Sequence, residues 1–288
     1  FVVNPLFFPG GNIGDLAVNG TVNDVAMCGA DPRFLSAGFI LEEGFPYSEL
    51  ERIADAMKSA AENAGVLLVT GDTKVVEKGG ADGLFINTSG IGLIPEGINL
   101  SGANARPGDQ IILSGTIADH GVTVLSTREG LRFDSDIQTD SAPLNAMVQS
   151  LVESACELHL LRDPTRGGLG TTLNEIAGQS STVCLIEEDA VPVKEAVASG
   201  CSFLGLDPLY LANEGKFICI LPSDRAEDAL AIMRAHPKGG DAARIGAILA
   251  PGEGEVSSSK AGQVILKTRL GGHRLLNMLE GEQLPRIC

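Results

Sequence analysis

VLLVTGDTKVVEKGG, residues 66–80, opens on four apolar residues and then breaks into Thr70-Gly71-Asp72-Thr73-Lys74. A short, unbroken apolar run of this kind reads as a strand buried on both faces. The sequence therefore predicts a buried strand that runs into a polar turn at the TGDTK step. Its neighbours fit that reading. ELERIADAMKSAAENA, residues 49–64, places Leu50, Ile53, Met57 and Ala61 on one helical face, with Ser48 as its cap and Gly65 as its stop. Residues 36–41, SAGFIL, and 84–94, LFINTSGIGLI, read as further strands. Ile13, Leu16, Val18, Val22, Val25 and Ala26 recur at helical spacing up to Gly29. The first hundred residues thus mix strands and helices.

A turn-rich link follows, PEGINLSGANARPGDQ over 95–110, and marks a domain boundary. Beyond it the sequence predicts strands at IILSG, 183–187, 217–221, 245–249 and 263–267. Helices are expected at 143–156, from about 167, and at 224–235 after Ser223. Gly271 and Gly272 separate this body from a terminal arm. Three units result: 1–100, 101–270 and 271–288.

Composition excludes several classes of function. The chain carries 21 Lys and Arg against 37 Asp and Glu, a net charge of −16, so it repels phosphate backbones and anionic lipid overall. Trp is absent and aromatics are 4%, too few to stack single-stranded bases. No apolar run reaches the ~18 residues of a membrane span, and no signal peptide is visible. No C-x-x-C pair occurs among the six cysteines, which disfavours zinc or a redox dithiol. Cys184, Cys201 and Cys219 sit in apolar stretches and read as core residues. A cytoplasmic protein is expected, binding neither nucleic acid nor membrane.

Five segments could carry chemistry, and each has a plainer structural reading. At a strand end, Gly71 lets a backbone approach phosphate, Asp72 can hold Mg²⁺ and Lys74 supplies a cation; the same residues also make an Asx turn with a solvated lysine. Asp24 lies among Val22, Val25 and Ala26, where a buried carboxylate needs a partner such as a metal, or else faces solvent on the helix. In LRDPTRGGLG, 161–170, Thr165 and the N–H groups of Gly167 and Gly168 can form an anion site at a helix start, with charge from Arg162 and Arg166, or simply cap the helix. His120 reads as a hydrogen-bonded structural residue. Asn213 and Glu214 in ANEGK suit a general base or metal ligand, or a hairpin turn. Finally, seventeen residues follow Gly271 and end on Cys288. Extended, such an arm reaches roughly 50–60 Å, far enough to deliver a thiol to a distant site. The thiol could equally be incidental.

Taken in order, NPLFFPGGNIG, GTVNDVA, GFILEEGFP, VTGDTKVV, LFINTSGIG, SGTIADHG, RDPTRGG, ANEGK and the terminal PRIC span the whole chain. Together they closely resemble the HypE family of hydrogenase maturation factors. That family lies within the superfamily of aminoimidazole ribonucleotide synthetase, selenophosphate synthetase and thiamine-monophosphate kinase.

The resemblance implies a two-domain α+β fold of the aminoimidazole ribonucleotide synthetase type. An N-terminal β/α domain would form a homodimer and bind ATP near the interface. A C-terminal α/β sandwich domain would follow, and then a flexible tail. It also implies a reaction: the carbamoyltransferase HypF loads a carbamoyl group on Cys288, ATP-dependent dehydration converts it to thiocyanate, and the cyanide passes to iron on a HypC–HypD complex for [NiFe]-hydrogenase. By the same resemblance, Asp24 and Asp72 are metal ligands for Mg²⁺. Thr70, Gly71, Thr165, Arg166, Gly167, Gly168 and Asn213 contact the nucleotide, and Lys74 and Glu214 serve the thiocarboxamide of Cys288. One departure stands out. The Gly-rich segment and Asp that precede Phe1 in the family have no counterpart in this sequence, so an upstream part of the ATP-binding domain is expected to be missing. The competing readings are another superfamily kinase or synthetase, and a truncated chain that only binds its partners.

Overall fold

The computed structural model describes residues 1–2, 4–131, 137–154 and 157–279. A hairpin of β1 (Phe7–Phe8) and β2 (Gly11–Asn12) leads into α1 (Ile13–Met27). The helix starts there because Asn12 and Asp15 form a capping box: Asn12 accepts from the Gly14 N–H at 2.7 Å, and Asp15 accepts from the Asn12 N–H at 2.7 Å. Then come β3 (Asp31–Glu42), α2 (Tyr47–Ala64), β4 (Leu67–Val76) and β5 (Leu84–Leu93). The strands form a sheet in the order β4–β3–β5, with β3 parallel to β4 and antiparallel to β5. Helices α1 and α2 pack on one face over a core that includes Ile13, Leu16, Leu35, Ile53, Met57 and Ile86.

Two expectations are corrected here. Helix α2 begins at Tyr47 behind Pro46 with no side-chain cap, so Ser48 lies inside the first turn. Gly65, at φ 70°, does stop it. More consequentially, the TGDTK step is not a turn. Strand β4 runs through it to Val76, paired with β3 from Leu67 onward. Nor is the strand buried: it is the sheet edge, and Leu67 through Val75 are almost all exposed. The apolar run was correctly legible as a strand, but nothing among the described residues of the single chain covers it.

The second domain contains β6 (Gln110–Leu113), α3 (Asp119–Arg128), α4 (Asn145–Glu153), β7 (Leu160–Arg162), α5 (Gly168–Ser180) and β8 (Val183–Glu187). It continues through α6 (Glu195–Leu204), β9 (Ile218–Leu221), α7 (Ala226–Ala235), β10 (Ala243–Leu249), β11 (Gln263–Lys267) and β12 (His273–Leu275). Its seven strands are ordered β12–β11–β8–β10–β6–β9–β7, and all pair antiparallel except β8 with β11. Alternation along the strands builds a core on each face. Ile111, Leu113, Ile218 and Ile220 pack with Leu173 and Ile176 of α5, while Ile112, Cys219 and Leu221 pack with Met147 of α4 and Leu230 of α7. The result is a helix–sheet–helix sandwich.

Gly271 and Gly272 do not release the chain. They turn the β11–β12 hairpin, Leu276 is buried, and the Tyr210 hydroxyl donates to the Asn277 carbonyl at 2.7 Å. An arm that begins at Gly271 is therefore corrected: residues 273–276 belong to the sandwich. Cys288 lies outside the described residues.

The two domains share a core and a set of buried hydrogen bonds. Ala26 and Met27 of α1 pack with Ile112 and Leu144. Asn145 donates to the Ala64 carbonyl and Gln149 to that of Ala30, each at 2.8 Å.

Candidate functional site

A cleft of about 350 Å³ opens between α1 and the loop from β7 to α5. Helix α1 contributes Thr21 and Asp24, the loop contributes Arg162, Asp163, Thr165 and Arg166, and Glu214 closes the inner wall. The Thr21 and Thr88 hydroxyls are 2.6 Å apart, and Thr88 also donates to the Ala17 carbonyl, which fixes α1 on β5. A second cleft of about 330 Å³ adjoins the first and shares Asp24, Arg162, Asp163 and Glu175 with it. Its far wall is apolar, with Leu100, Leu160 and Ile176. The whole is a trough with a charged section and an apolar section.

Asp24 dominates the electrostatics. Its side chain is open to solvent at the cleft mouth, yet the crowding walls raise its pKa to about 6; Asp163 adds to the rise, and Arg166 and Arg162 oppose it. Arg162 is itself paired with Glu175 at 3.0 Å. A cluster of three metal-binding acids or other ligands is absent among the described residues. Two facing carboxylates do suit a hard cation that takes one or two of them together with substrate phosphates. The donor set of Asp24 and Asp163 therefore fits Mg²⁺ brought in with a nucleotide.

The remaining candidates separate into two groups. Thr165, Arg166 and Glu214 join Asp24 in the cleft. Thr70, Gly71, Asp72 and Lys74 do not: they lie on β4, outside the cleft lining, and Asp72 accepts from the Thr73 N–H at 2.8 Å. One chain thus does not bring Asp72 to Asp24, or Lys74 to Glu214, in this cleft.

Three expected nucleotide contacts, Asn213, Gly167 and Gly168, do not line this cleft. Asn213 is wholly buried, and its amide is consumed internally: Oδ1 accepts from the Ala118 N–H at 2.7 Å, and Nδ2 donates to the carbonyls of Pro164 and Leu211. It fixes the RDPT turn to the strained Ala118, whose φ is 72°. Gly167 and Gly168 have φ of 67° and 64°. A Cβ on Gly168 would lie 2.6 Å from the Leu211 carbonyl oxygen and 2.7 Å from that of Leu209. These glycines bend the chain so that Thr165 and Arg166 face the cleft, and neither of them lines it.

Sequence reasoning missed Thr21, Asp163 and Glu175. Asp163 stood inside a quoted motif, between two arginines, and that charge alternation was the available signal. Thr21 and Glu175 gave none, because each faces the cleft only through the packing of its helix. His120, read as structural, is structural: it is buried against Phe8 with Nδ1 2.7 Å from the Thr139 hydroxyl, and burial pushes its pKa down to about 4 although Asp140 pulls the other way. Cys184, Cys201 and Cys219 are buried as expected.

An open three-stranded sheet joined to a sandwich, with an acid-lined trough between them, defines a class. Residues 1–94 and 106–258 match the N-terminal and C-terminal domains of the family described as AIR synthase related protein. Within that class, the chain is 57% identical over 287 residues to the carbamoyl dehydratase HypE of Azotobacter vinelandii, covering 100% of this chain and 82% of that protein. A crystal structure of hydrogenase maturation protein HypE in complex with ATP superposes with a TM-score of 0.96 at 61% identity, over 100% of this chain and 85% of that one. The HypE chain of a HypE–HypF complex gives 0.90 at 50% identity, over 96% and 88%. The chain belongs to the HypE family, the carbamoyl dehydratases of hydrogenase maturation.

Proposed function

We propose that this chain dehydrates a carbamoyl group carried on Cys288 at the expense of ATP, and that the trough between α1 and the β7–α5 loop holds the nucleotide. The observation that carries the reading is the convergence of Asp24, Asp163, Arg162, Arg166 and Glu214 on one cleft in a chain of this family. The charged section suits a triphosphate and the apolar section a base. Mg²⁺, held by Asp24 with Asp163, would supply charge neutralisation for the phosphates.

The chemistry follows from a poor leaving group. The carboxamide oxygen takes the γ-phosphoryl group of ATP and is released as phosphate, while the nitrogen gives up its two protons and becomes a nitrile on sulfur. Glu214 serves as the base and Lys74 stabilises charge on the oxygen. Because Lys74 and Asp72 lie on the uncovered β4 edge, the complete site forms where two copies of the chain meet. An edge strand exposed along its length, with Ile91 at 68% and Leu93 at 66% exposure across β3 on the opposite edge strand β5, is a surface that calls for a partner strand. HypF loads the thiol and a HypC–HypD complex takes the cyanide, all in the cytoplasm. No helix among the described residues is long and apolar enough to cross a membrane.

The test is intact mass of the C-terminal peptide after loading by HypF. Loss of one water on addition of Mg-ATP supports the reading, and a thiocarboxamide that persists under those conditions sinks it.

A further inference from the structure

Glu214 can act as a base only if its main chain is fixed, and residue 140 touches three consecutive residues there, Glu214 and Gly215 at the main chain and Lys216 at its side chain. The Asp140 Oδ1 accepts from the Glu214 N–H at 3.1 Å. Its Oδ2 pairs with the Lys216 ammonium at 3.3 Å, where Asp140 is 3% and Lys216 11% exposed. Between them, Gly215 passes so close to the Asp140 carbonyl that a Cβ would collide with it. On the other side, the Glu214 carbonyl accepts from the Asn23 amide at 3.1 Å. We propose that Asp140, charge-balanced by Lys216, is the positioning residue for Glu214: it sets the carboxyl of Glu214 in the cleft without touching substrate.

The physical case has two parts. A carboxylate buried this deeply is retained only with compensation. Burial alone would raise its pKa, but Lys216, His120 and the Glu214 N–H outweigh that and hold Asp140 below the ordinary carboxylate range. A charge-assisted bond to a backbone N–H is also the stiffest brace available for a peptide unit. The inference rests on the reading that Glu214 works in the cleft.

The experiment uses full-length protein loaded by HypF, with the rate of water loss measured across Mg-ATP concentrations. Two double variants each remove the buried charge pair and differ only in the acceptor at position 140. D140N/K216M keeps an oxygen for the Glu214 N–H and is expected to retain the rate within about threefold. D140A/K216M lacks that oxygen and is expected to lose about ten- to a hundredfold in rate, since misplacement by about an ångström costs that much. Its half-saturating ATP concentration should stay within about threefold of the parent, because the triphosphate section is untouched. In an E214Q background, already slowed on the order of a hundredfold, D140A/K216M should add no further loss. Equal rates for the two double variants, a loss that multiplies with E214Q, or an ATP requirement that rises as far as the rate falls would each overturn the inference. Full activity of E214Q alone would instead remove the role of Glu214, and that single variant tells the two failures apart.

Discussion

The Asn23 side-chain amide donates to the backbone carbonyl of Glu214 at 3.1 Å, across the junction of the two domains. The same amide donates to the Ala142 carbonyl, and its oxygen accepts from the Leu144 N–H at 2.8 Å. Asn23 is 2% exposed while its neighbour Asp24 opens on the cleft. One turn of α1 thus holds the inner wall with one residue and lines the mouth with the next. Asn23→Ala strands three buried backbone groups and should destabilise the fold by about 2–4 kcal/mol. Denaturant unfolding measures this; a loss below half a kcal/mol, roughly the surface-mutation range, would contradict it.

Gly168→Ala tests the bend that presents Thr165 and Arg166. The substitution forces a Cβ into the Leu209–Leu211 backbone at a φ of 64°. Stability should fall by about 1–3 kcal/mol, and ATP affinity should fall with it. Unchanged affinity in calorimetry would mean the bend does not shape the site.

His120 gives stability a pH dependence of known sign. Its pKa is 6.5 in the unfolded chain and about 4 in the fold, so below pH 6.5 the unfolded state takes up the proton first. Stability is lost as pH falls through that window, by roughly 3 kcal/mol in total, and is unaffected above it. Asp140, Thr139 and Phe8 face the ring, and all three remain in His120→Gln. Unfolding free energies taken between about pH 7 and pH 4.5 should decline less steeply in the variant. Parallel curves would show that the ring is already charged in the native protein.

Strand β4 makes a prediction about assembly. Leu67→Lys with Val75→Lys should leave a folded monomer in sedimentation and abolish turnover. Lys74→Ala should keep the pair of chains and still lose turnover, by on the order of a hundredfold. An active monomer would place the whole site within one chain.

Asp24→Asn should weaken Mg-ATP more than metal-free ATP. Titration calorimetry with and without Mg²⁺ distinguishes the two, and an equal loss in both would assign Asp24 to the nucleotide alone.

Much of this was legible from sequence, for identifiable reasons. The apolar spacing of α1 and α2 and the strand runs of β6, β8, β9 and β11 reflect side chains that mostly meet core, so periodicity reports them directly. The motifs were legible as motifs, but their parts were not separable. Asn213 and Glu214 are neighbours in ANEGK, yet one is spent on Ala118 and Pro164 while the other lines the cleft. Only the side-chain directions distinguish them. Strand β4 misled for the opposite reason: an apolar run records that burial is needed, not that the same chain provides it. Asp140 carried no signal at all, because its partners lie more than seventy residues away.

The joined core has a consequence for a severed chain. Cutting between β5 and β6 removes no strand pairing, since the two sheets are separate. It does leave Ala26 and Met27 on one fragment, and Ile112 and Leu144 on the other, facing water. The halves should therefore be poorly soluble apart and should recover a functional complex when co-expressed, although each carries its own complete sheet.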